Sequence, residues 1–398
     1  MKLKNIASLG DLRGKYVLLR DDLSLQIVDG IITDAFRLEQ SLPTIRALRD
    51  MGARVTVISH LGRPDGEHKP ELTLAPVAVA MAEHLCAPVK FIPDCIGEKV
   101  AAALSEMQDG DVIMLENLRF HVGEEANDPE FAAALAVGFN VFINDAFAVS
   151  HRAHASTVGV AKLLPSAAGL LLESEINSIS SAMEDPERPL LAIIAGAKIS
   201  SKIGVLKAMS KFADKMIIGG ALGTTFQFAL GENVGNSLYE PDMKQTALDV
   251  IAFAKENNCE IILPIDKGVA KVASPDADVI ERRFGEIEDD DIILDAGREA
   301  IRRYMEVIDG VKTVIWNGTV GMAEWKNFQF GSFTLARHIA LRTKESMLLS
   351  YAGGGDTVAA LNETDTAKDF TYVSTGGGAF LEFIEGRELP GISVLEDC

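Results

Sequence analysis

The sequence predicts an α/β protein with two doubly wound, Rossmann-like parallel-sheet domains joined by a helix and a hinge. Three observations lead there. Short apolar runs alternate with amphipathic stretches, the βαβα rhythm of a parallel sheet covered by helices. The rhythm runs twice, with a break near residues 166–188. The chain has 398 residues, 47% of them hydrophobic, enough for two domains that each bury a core.

The first series offers strands at Tyr16–Arg20, Arg54–Ser59, Val89–Ile92, Asp111–Leu115 and Val141–Asn144. Helical patterns between them cover Leu38–Met51, Ala75–Leu85, Glu98–Met107 and Pro129–Gly138. Ser166–Glu184 then reads as one helix, with Pro165 before it and Asp185-Pro186 after it. Glu187-Arg188-Pro189 suits a linker. The second series has strands at Leu190–Ala195, Lys215–Ile218, Glu260–Pro264, Lys312–Trp316, Ser346–Tyr351 and Phe370–Ser374. The expected division is residues 1–165, a connecting helix and linker at 166–188, a second domain at 189–380 and a C-terminal segment at 381–398.

The formal charge of −20 works against nucleic acid and anionic membranes as partners. No apolar run reaches the roughly 18 residues of a membrane span. The start, Met1-Lys2-Leu3-Lys4-Asn5-Ile6, lacks a signal-peptide core. Cys86, Cys95, Cys259 and Cys398 form no CxxC pair or zinc spacing and read as reduced thiols. A cytoplasmic location is the expectation.

Ligands of open parallel sheets bind outside the carboxyl ends of the strands. In the first half those ends carry Arg20-Asp21-Asp22, Ser59-His60-Leu61-Gly62-Arg63, Glu116-Asn117-Leu118-Arg119 and Asn144-Asp145, with His151-Arg152-Ala153-His154 close behind. Arg37 is expected in the loop before the first helix. One rim can thus gather Arg20, Arg37, Arg63, Arg119 and Arg152. Arginine's planar fork suits carboxylate and phosphate, so the set points to a small, multiply charged anion. The competing reading is a group of surface or ion-paired arginines. The HxxH at 151–154 lacks the i, i+4 spacing of helical zinc motifs.

The second half ends its strands on Gly196-Ala197-Lys198, Gly219-Gly220, Trp316-Asn317-Gly318, Gly353-Gly354-Gly355-Asp356-Thr357 and Thr375-Gly376-Gly377-Gly378. Glycine lets backbone approach a phosphate, and a glycine run opening a helix aims free N–H groups at it. Asp356 in such a loop suits the Mg²⁺ that accompanies nucleotide phosphates. Lys198 and Lys202, four apart near a helix start, can share a face. Tight turns use the same glycines, but two triple-glycine runs at consecutive strand ends are a stronger signal. Neither GxxxxGK[ST] nor GxGxxG occurs, which argues against P-loop and ordinary dinucleotide folds.

Taken together, SHLGRP, LENLRF, HRAHAST, GGGDT and STGGGA make the chain resemble the phosphoglycerate kinases over almost its full length. The resemblance implies reversible phosphoryl transfer between 1,3-bisphosphoglycerate with ADP and 3-phosphoglycerate with ATP, in glycolysis and gluconeogenesis. It implies Mg²⁺ with the nucleotide, a carboxyl acceptor, and a monomer without nucleic-acid or membrane partners. Asp22, Ser24, Arg37, His60, Arg63, Arg119 and Arg152 match the 3-phosphoglycerate site. Lys198, Lys202, Gly297, Glu324, Gly354, Gly355, Asp356 and Thr357 match the nucleotide site, with Asp356 also linked to Mg²⁺. Arg37, Lys202, Gly376 and Gly377 match the groups around the transferring phosphoryl. The C-terminal segment would return to the first domain. The chain departs from the family's pattern at Ser24, where asparagine is usual, and at Gln26, Ala195, Ser201, Arg298-Glu299-Ala300 and Thr319-Val320.

In-line transfer requires reacting atoms within roughly 3 to 3.5 Å. With the two sites assigned to separate domains, a hinge is expected near residues 166–188. Small-angle scattering should show a smaller radius of gyration with both substrates bound and partial changes with either alone. An unchanged radius in all four states, with binding verified, would remove the hinge.

Overall fold

Apolar runs without alternation suit strands buried on both faces, and the central runs of this chain are buried in that way: Val17, Leu18, Leu19, Val55 and Val57 are all fully covered. The computed structural model describes residues 3–28 and 30–396. Met1, Lys2 and Cys398, which figure in the readings of the N-terminus and of the thiols, lie outside the described residues, as do Asp29 and Asp397.

The chain divides into two units, Met1–Asn177 with Glu388–Cys398, and Ser178–Arg387. The first holds a six-stranded sheet in the spatial order Val89–Ile92, Val112–Leu115, Arg54–Ile58, Tyr16–Arg20, Val141–Asn144, Ser166–Ala168. All neighbours run parallel. The chain winds outward from Tyr16–Arg20 in one direction, then reverses, so the switch point lies between Tyr16–Arg20 and Val141–Asn144. The segment after Glu388 belongs to this unit: Asn144 Nδ2 donates to the Gly391 carbonyl at 3.0 Å, and Gly391 N–H donates to Ser150 O at 2.9 Å.

The second unit holds another six-stranded parallel sheet: Glu260–Ile262, Lys215–Gly219, Leu190–Ala195, Thr313–Asn317, Leu349–Gly353, Tyr372–Val373. Numbered along the chain its order is 3-2-1-4-5-6, that of dinucleotide-binding folds. The switch point falls between Leu190–Ala195 and Thr313–Asn317. The two parallel sheets are those expected. Among the described residues, no helix is long and apolar enough to cross a membrane. Cys86, Cys95 and Cys259 are free thiols.

The structure adds a short antiparallel pair, Ile27–Val28 with Ile31–Ile32, shifts the strand read at Ser346–Tyr351 to Leu349–Gly353, and departs from the sequence reading in two larger elements. The connecting helix spans Leu170–Glu184, not Ser166–Glu184. Ser166–Ala168 instead pair with Phe142–Asn144 as an edge strand, which takes the backbone groups a helix would need. The helix begins after Gly169, where Asp145 Oδ1 accepts the Leu172 N–H at 2.9 Å. The second difference is an unpredicted antiparallel sheet of Ile280–Arg283, Asp266–Ala270 and Ile292–Ala296. Its strands contain Asp-Lys-Gly and Glu-Arg-Arg, which mask the apolar pattern.

The first switch point carries an unusual cost. Asp145 N–H donates to Arg20 O at 2.8 Å, so Asp21 and Asp145 leave adjacent strands together. Both are buried, and Oδ2 of each lacks a hydrogen-bond partner among the described residues. Burial, reinforced by the Asp145 charge, pushes the Asp21 carboxyl far above its usual range. Burial likewise lifts Asp145 to about 6, against hydrogen bonds from Thr44 and Leu172. Raised carboxyl pKa values favour folding fully at low pH, and that contribution disappears as pH climbs through the folded values. Stability to urea should therefore fall as pH rises from about 4 through about 6, while Asp21→Asn should flatten the curve and raise stability at its upper end. An identical pH dependence in the variant would show that the two carboxyls do not share the burden.

Candidate active site

Past the end of Tyr16–Arg20 the chain turns, and Asp22 becomes the centre of a small polar ring. Asp22 Oδ2 accepts from Arg37 Nη1 at 2.8 Å, and Oδ1 accepts the Ser24 hydroxyl at 2.6 Å. The same hydroxyl accepts from Arg37 Nη1 at 2.8 Å. His60 adjoins the ring, its Nδ1 3.7 Å from Asp22 Oδ1 and 3.3 Å from Arg20 Nη2. Burial would raise the Asp22 carboxyl, but Arg37's charge and Ser24's hydroxyl outweigh it and hold the pKa at about 2. Arg37 lies in the first turn of the helix Phe36–Asp50 rather than in the preceding loop. Asp34 Oδ1 accepts the Phe36 N–H at 2.8 Å and starts that helix early.

The other cations stand around this ring in different roles. Arg20 is buried and donates from Nε to Ser156 Oγ at 2.8 Å; Ser156 in turn donates to the buried Glu124. Arg20 thus braces the rim from beneath. Arg119 donates to Gly62 O at 2.7 Å and pairs with Glu125 at 3.1 Å, which ties the loop bearing Arg63 to the turn Leu118–Phe120. Arg63 is exposed, and no hydrogen bond or ion pair holds it among the described residues. Arg152 is half-buried and donates from Nε to His151 at 3.2 Å. Burial, with the surrounding arginine charges, pushes His60 well below its usual value and His154 down to about 4. Both imidazoles are therefore neutral at pH 7, and the rim's positive charge comes from arginine.

In the second unit Lys202 occupies the switch point itself. Its ammonium donates to Ala195 O at 2.6 Å, at the end of one central strand, and to Asn317 Oδ1 at the end of the next. Asn317 Nδ2 donates onward to Gly353 O at 2.7 Å. Gly354 has φ +103°, and a Cβ there would lie 2.6 Å from Asn317 Nδ2, so conformation and space both demand glycine. Thr357, in the first turn of the Gly355–Glu363 helix, accepts the Gly318 N–H at 2.7 Å. Gly377 opens the helix Gly377–Ile384, and a Cβ on it would be 3.7 Å from Gly355 N. The two glycine runs thus meet, and two helix N-termini open beside each other. Burial lowers the Lys202 ammonium to about 8, with Asp356 opposing the shift.

A cavity of about 560 Å³ joins Glu324 to Asp356, lined also by Thr319, Gln329, Phe333 and Glu363. Two further matched residues lie on neighbouring loops. Lys198 lies exposed on the loop before the helix Ile203–Phe212, so it does not share a helical face with Lys202. Gly297 caps the helix Arg298–Asp309 and packs against the Asp266 carboxylate. Among the described residues, the one acidic group close enough to share a cation is Glu288, Asp290 and Asp291, and Lys271 already bonds all three within 2.8 Å.

Two α/β units, one with an arginine-rich rim and one with a lysine among converging glycine turns, define a phosphotransferase. The family model described as phosphoglycerate kinase matches residues 6–387, so the chain belongs to the phosphoglycerate kinase family. A phosphoglycerate kinase of Methylorubrum extorquens is 45% identical over 392 residues, covering 98% of each chain. The solved phosphoglycerate kinase of Coxiella burnetii superposes with a TM-score of 0.86 at 37% identity, covering 99% of this chain and 98% of that one. That of Pyrococcus horikoshii gives 0.83 at 28%, with the same coverage.

Sequence reasoning missed Asn317 as the partner of Lys202, although its place at a strand end beside Gly318 was a usable signal. It also missed the roles of Glu124, in the short helix Val122–Glu125, and of Ser156, which lies inside the HRAHAST motif. The Lys202 pKa has a measurable consequence. At about pH 8.5 an ammonium of that pKa is partly deprotonated, and a phosphate bound beside it would restore the proton. ADP binding should therefore take up protons there, seen as buffer-dependent heats in calorimetry and absent in Lys202→Met. Equal proton uptake by the variant would move the titration to another group.

Proposed function

We propose that the chain catalyses reversible transfer of a phosphoryl group between 1,3-bisphosphoglycerate with ADP and 3-phosphoglycerate with ATP. The observation that carries this reading is the position of Lys202 at the second unit's switch point, held by Ala195 O and Asn317 where two helix N-termini open together. That arrangement suits the phosphates of a nucleotide. The Asp22–Ser24–Arg37 ring with Arg63, Arg119 and Arg152 suits a small acid bearing both carboxylate and phosphate. On this reading the first unit binds 3-phosphoglycerate and the second the nucleotide, and the enzyme acts as a cytoplasmic monomer.

The chemistry asks little of a base. A carboxylate oxygen of 3-phosphoglycerate attacks the terminal phosphorus of ATP, the bond to the bridging oxygen breaks, and ADP leaves. The acceptor arrives deprotonated, so no residue need remove a proton. What the protein must supply is alignment and neutralisation of charge on the phosphoryl oxygens. Arg37 and Lys202 supply full charges, and Gly376 and Gly377 supply N–H dipoles at a helix start. Asp356 is exposed and free of ion pairs among the described residues, which fits a ligand of Mg²⁺ carried by the nucleotide. When bound, that ion neutralises phosphate charge. Glu324 faces the same cavity and suits hydrogen bonds from ribose hydroxyls.

A coupled assay of ATP consumption with 3-phosphoglycerate tests the reading. Lys202→Ala and Arg37→Ala should each cut turnover by ~10³-fold, with a much smaller change in 3-phosphoglycerate affinity for Lys202→Ala. Near-parental turnover at saturating substrates in either variant would refute the role given to that residue.

A further inference from the structure

Arg37 could reach Asp22 without help, yet the structure adds a third member. The Ser24 hydroxyl donates to Asp22 Oδ1 at 2.6 Å and accepts from Arg37 Nη1 at 2.8 Å, while the Ser24 N–H also points to Asp22 Oδ1 at 3.3 Å. Both hydrogen bonds of Arg37 leave from one nitrogen, Nη1, which donates to Asp22 Oδ2 and Ser24 Oγ. Nη2 and Nε engage no other described group, and the side chain is 32% exposed. Asp22 is buried with a side chain 7% exposed.

We infer that Ser24 is a positioning residue: its hydroxyl closes the Asp22–Arg37 pair into a ring and fixes the guanidinium so that its Nη2–Nε edge faces the substrate anion. This rests on the reading of the rim as the 3-phosphoglycerate site. The physical argument is about rotation. A single ion pair through Nη1 leaves the guanidinium free to swing about the Asp22 Oδ2 contact. A second acceptor on the same nitrogen sets the plane of the fork. Only a group that both donates and accepts can do this, because it must give a proton to the carboxylate and take one from arginine. A hydroxyl can, and so can an amide; a methyl cannot. Loss of the ring leaves Arg37 present and charged but poorly aimed, and a positioned cation is worth more in a transition state than a mobile one.

The test compares Ser24→Ala, Ser24→Thr and Ser24→Asn in the parental chain, and Ser24→Ala again in an Arg37→Ala background. Loss of one net hydrogen bond predicts a roughly three- to tenfold fall in kcat/KM for 3-phosphoglycerate in Ser24→Ala. Threonine, which keeps the hydroxyl, should stay within about twofold of the parent, and asparagine should be tolerated. In the Arg37→Ala background the serine change should have almost no further effect, because the group it positions is gone. Nitrogen NMR of the Arg37 guanidinium gives a readout independent of turnover, with restricted rotation in the parent and in Ser24→Thr and faster rotation in Ser24→Ala. Parental kcat/KM and an unchanged Arg37 in Ser24→Ala would overturn the inference, as would an equal loss with and without Arg37. Absence of any turnover by the parent would instead strike the functional reading, with the NMR comparison still deciding the role of Ser24.

Discussion

A parallel sheet must end all of its strands on one rim, and the rest of this structure follows from that constraint. Each strand arrives with its last carbonyls pointing past the sheet, and each helix that returns from the rim begins with unpaired N–H groups. At a switch point two neighbouring connections leave in opposite directions and open a crevice between them. Lys202 fills that crevice in the second unit by bonding the last carbonyl of one central strand and the side chain that ends the next. The glycines follow from the same crowding. At Gly354 a Cβ would press on Asn317, and at Gly318 it would lie 2.0 Å from the carbonyl of Ala195. The turns are thin because strands, lysine and helix starts share one small volume.

The first unit answers the same constraint with charge instead of thin backbone. Its switch point holds Arg20, Asp21, Asp22 and Asp145, all buried. Burying an ion costs several kcal/mol unless partners offset it. Arg20 and Asp22 have partners: Ser156 and the Glu124 charge behind the one, Arg37 and Ser24 around the other. Asp21 and Asp145 each keep an oxygen with no partner among the described residues, so the cost of burying these polar groups falls on them. Strand ends are where a parallel sheet can place function, and here they are also where it gives up stability.

These facts explain how far the sequence could be read. The central strands were legible because burial on both faces turns them into uninterrupted apolar runs, as in Leu190–Ala195. The residues that follow such runs were legible as site candidates by position alone, which is how Asp22, His60 and Arg119 were found. Ser166–Ala168 was not legible, because Ser-Ala-Ala has no strand character of its own and becomes a strand only by pairing with Phe142–Asn144. Arg37 was placed in the wrong element because one hydrogen bond from Asp34 decides where its helix begins. The exposed position of Lys198 depends on the path of a loop, and spacing along the chain carries no information about that. Local pattern reveals what burial imposes, whereas pairings that depend on a distant partner stay hidden.

The two rims also differ in how their charge responds to pH. Histidine is the usual side chain for switching between pH 5 and 8, and the first rim contains His60, His151 and His154. Yet burial and neighbouring arginines hold His60 well below its usual value and His154 at about 4. Arginine stays charged throughout that range, so neither His60 nor His154 switches the charge of this rim; the group that titrates inside the range is the buried Asp145 at the strand end. The neutral His60 ring can then accept at Nδ1 from Arg20 Nη2. The second rim relies on an ammonium brought down to about 8 by burial, and its charge fades just above neutrality unless a phosphate restores it. The asymmetry suits the ligands each side is read to take. A carboxylate acceptor needs cations and no base, whereas a nucleotide carries enough negative charge to favour the protonated form of a lysine beside it. At neutral pH such a lysine is already mostly charged, and a phosphate bound beside it would keep it charged as pH rises through about 8.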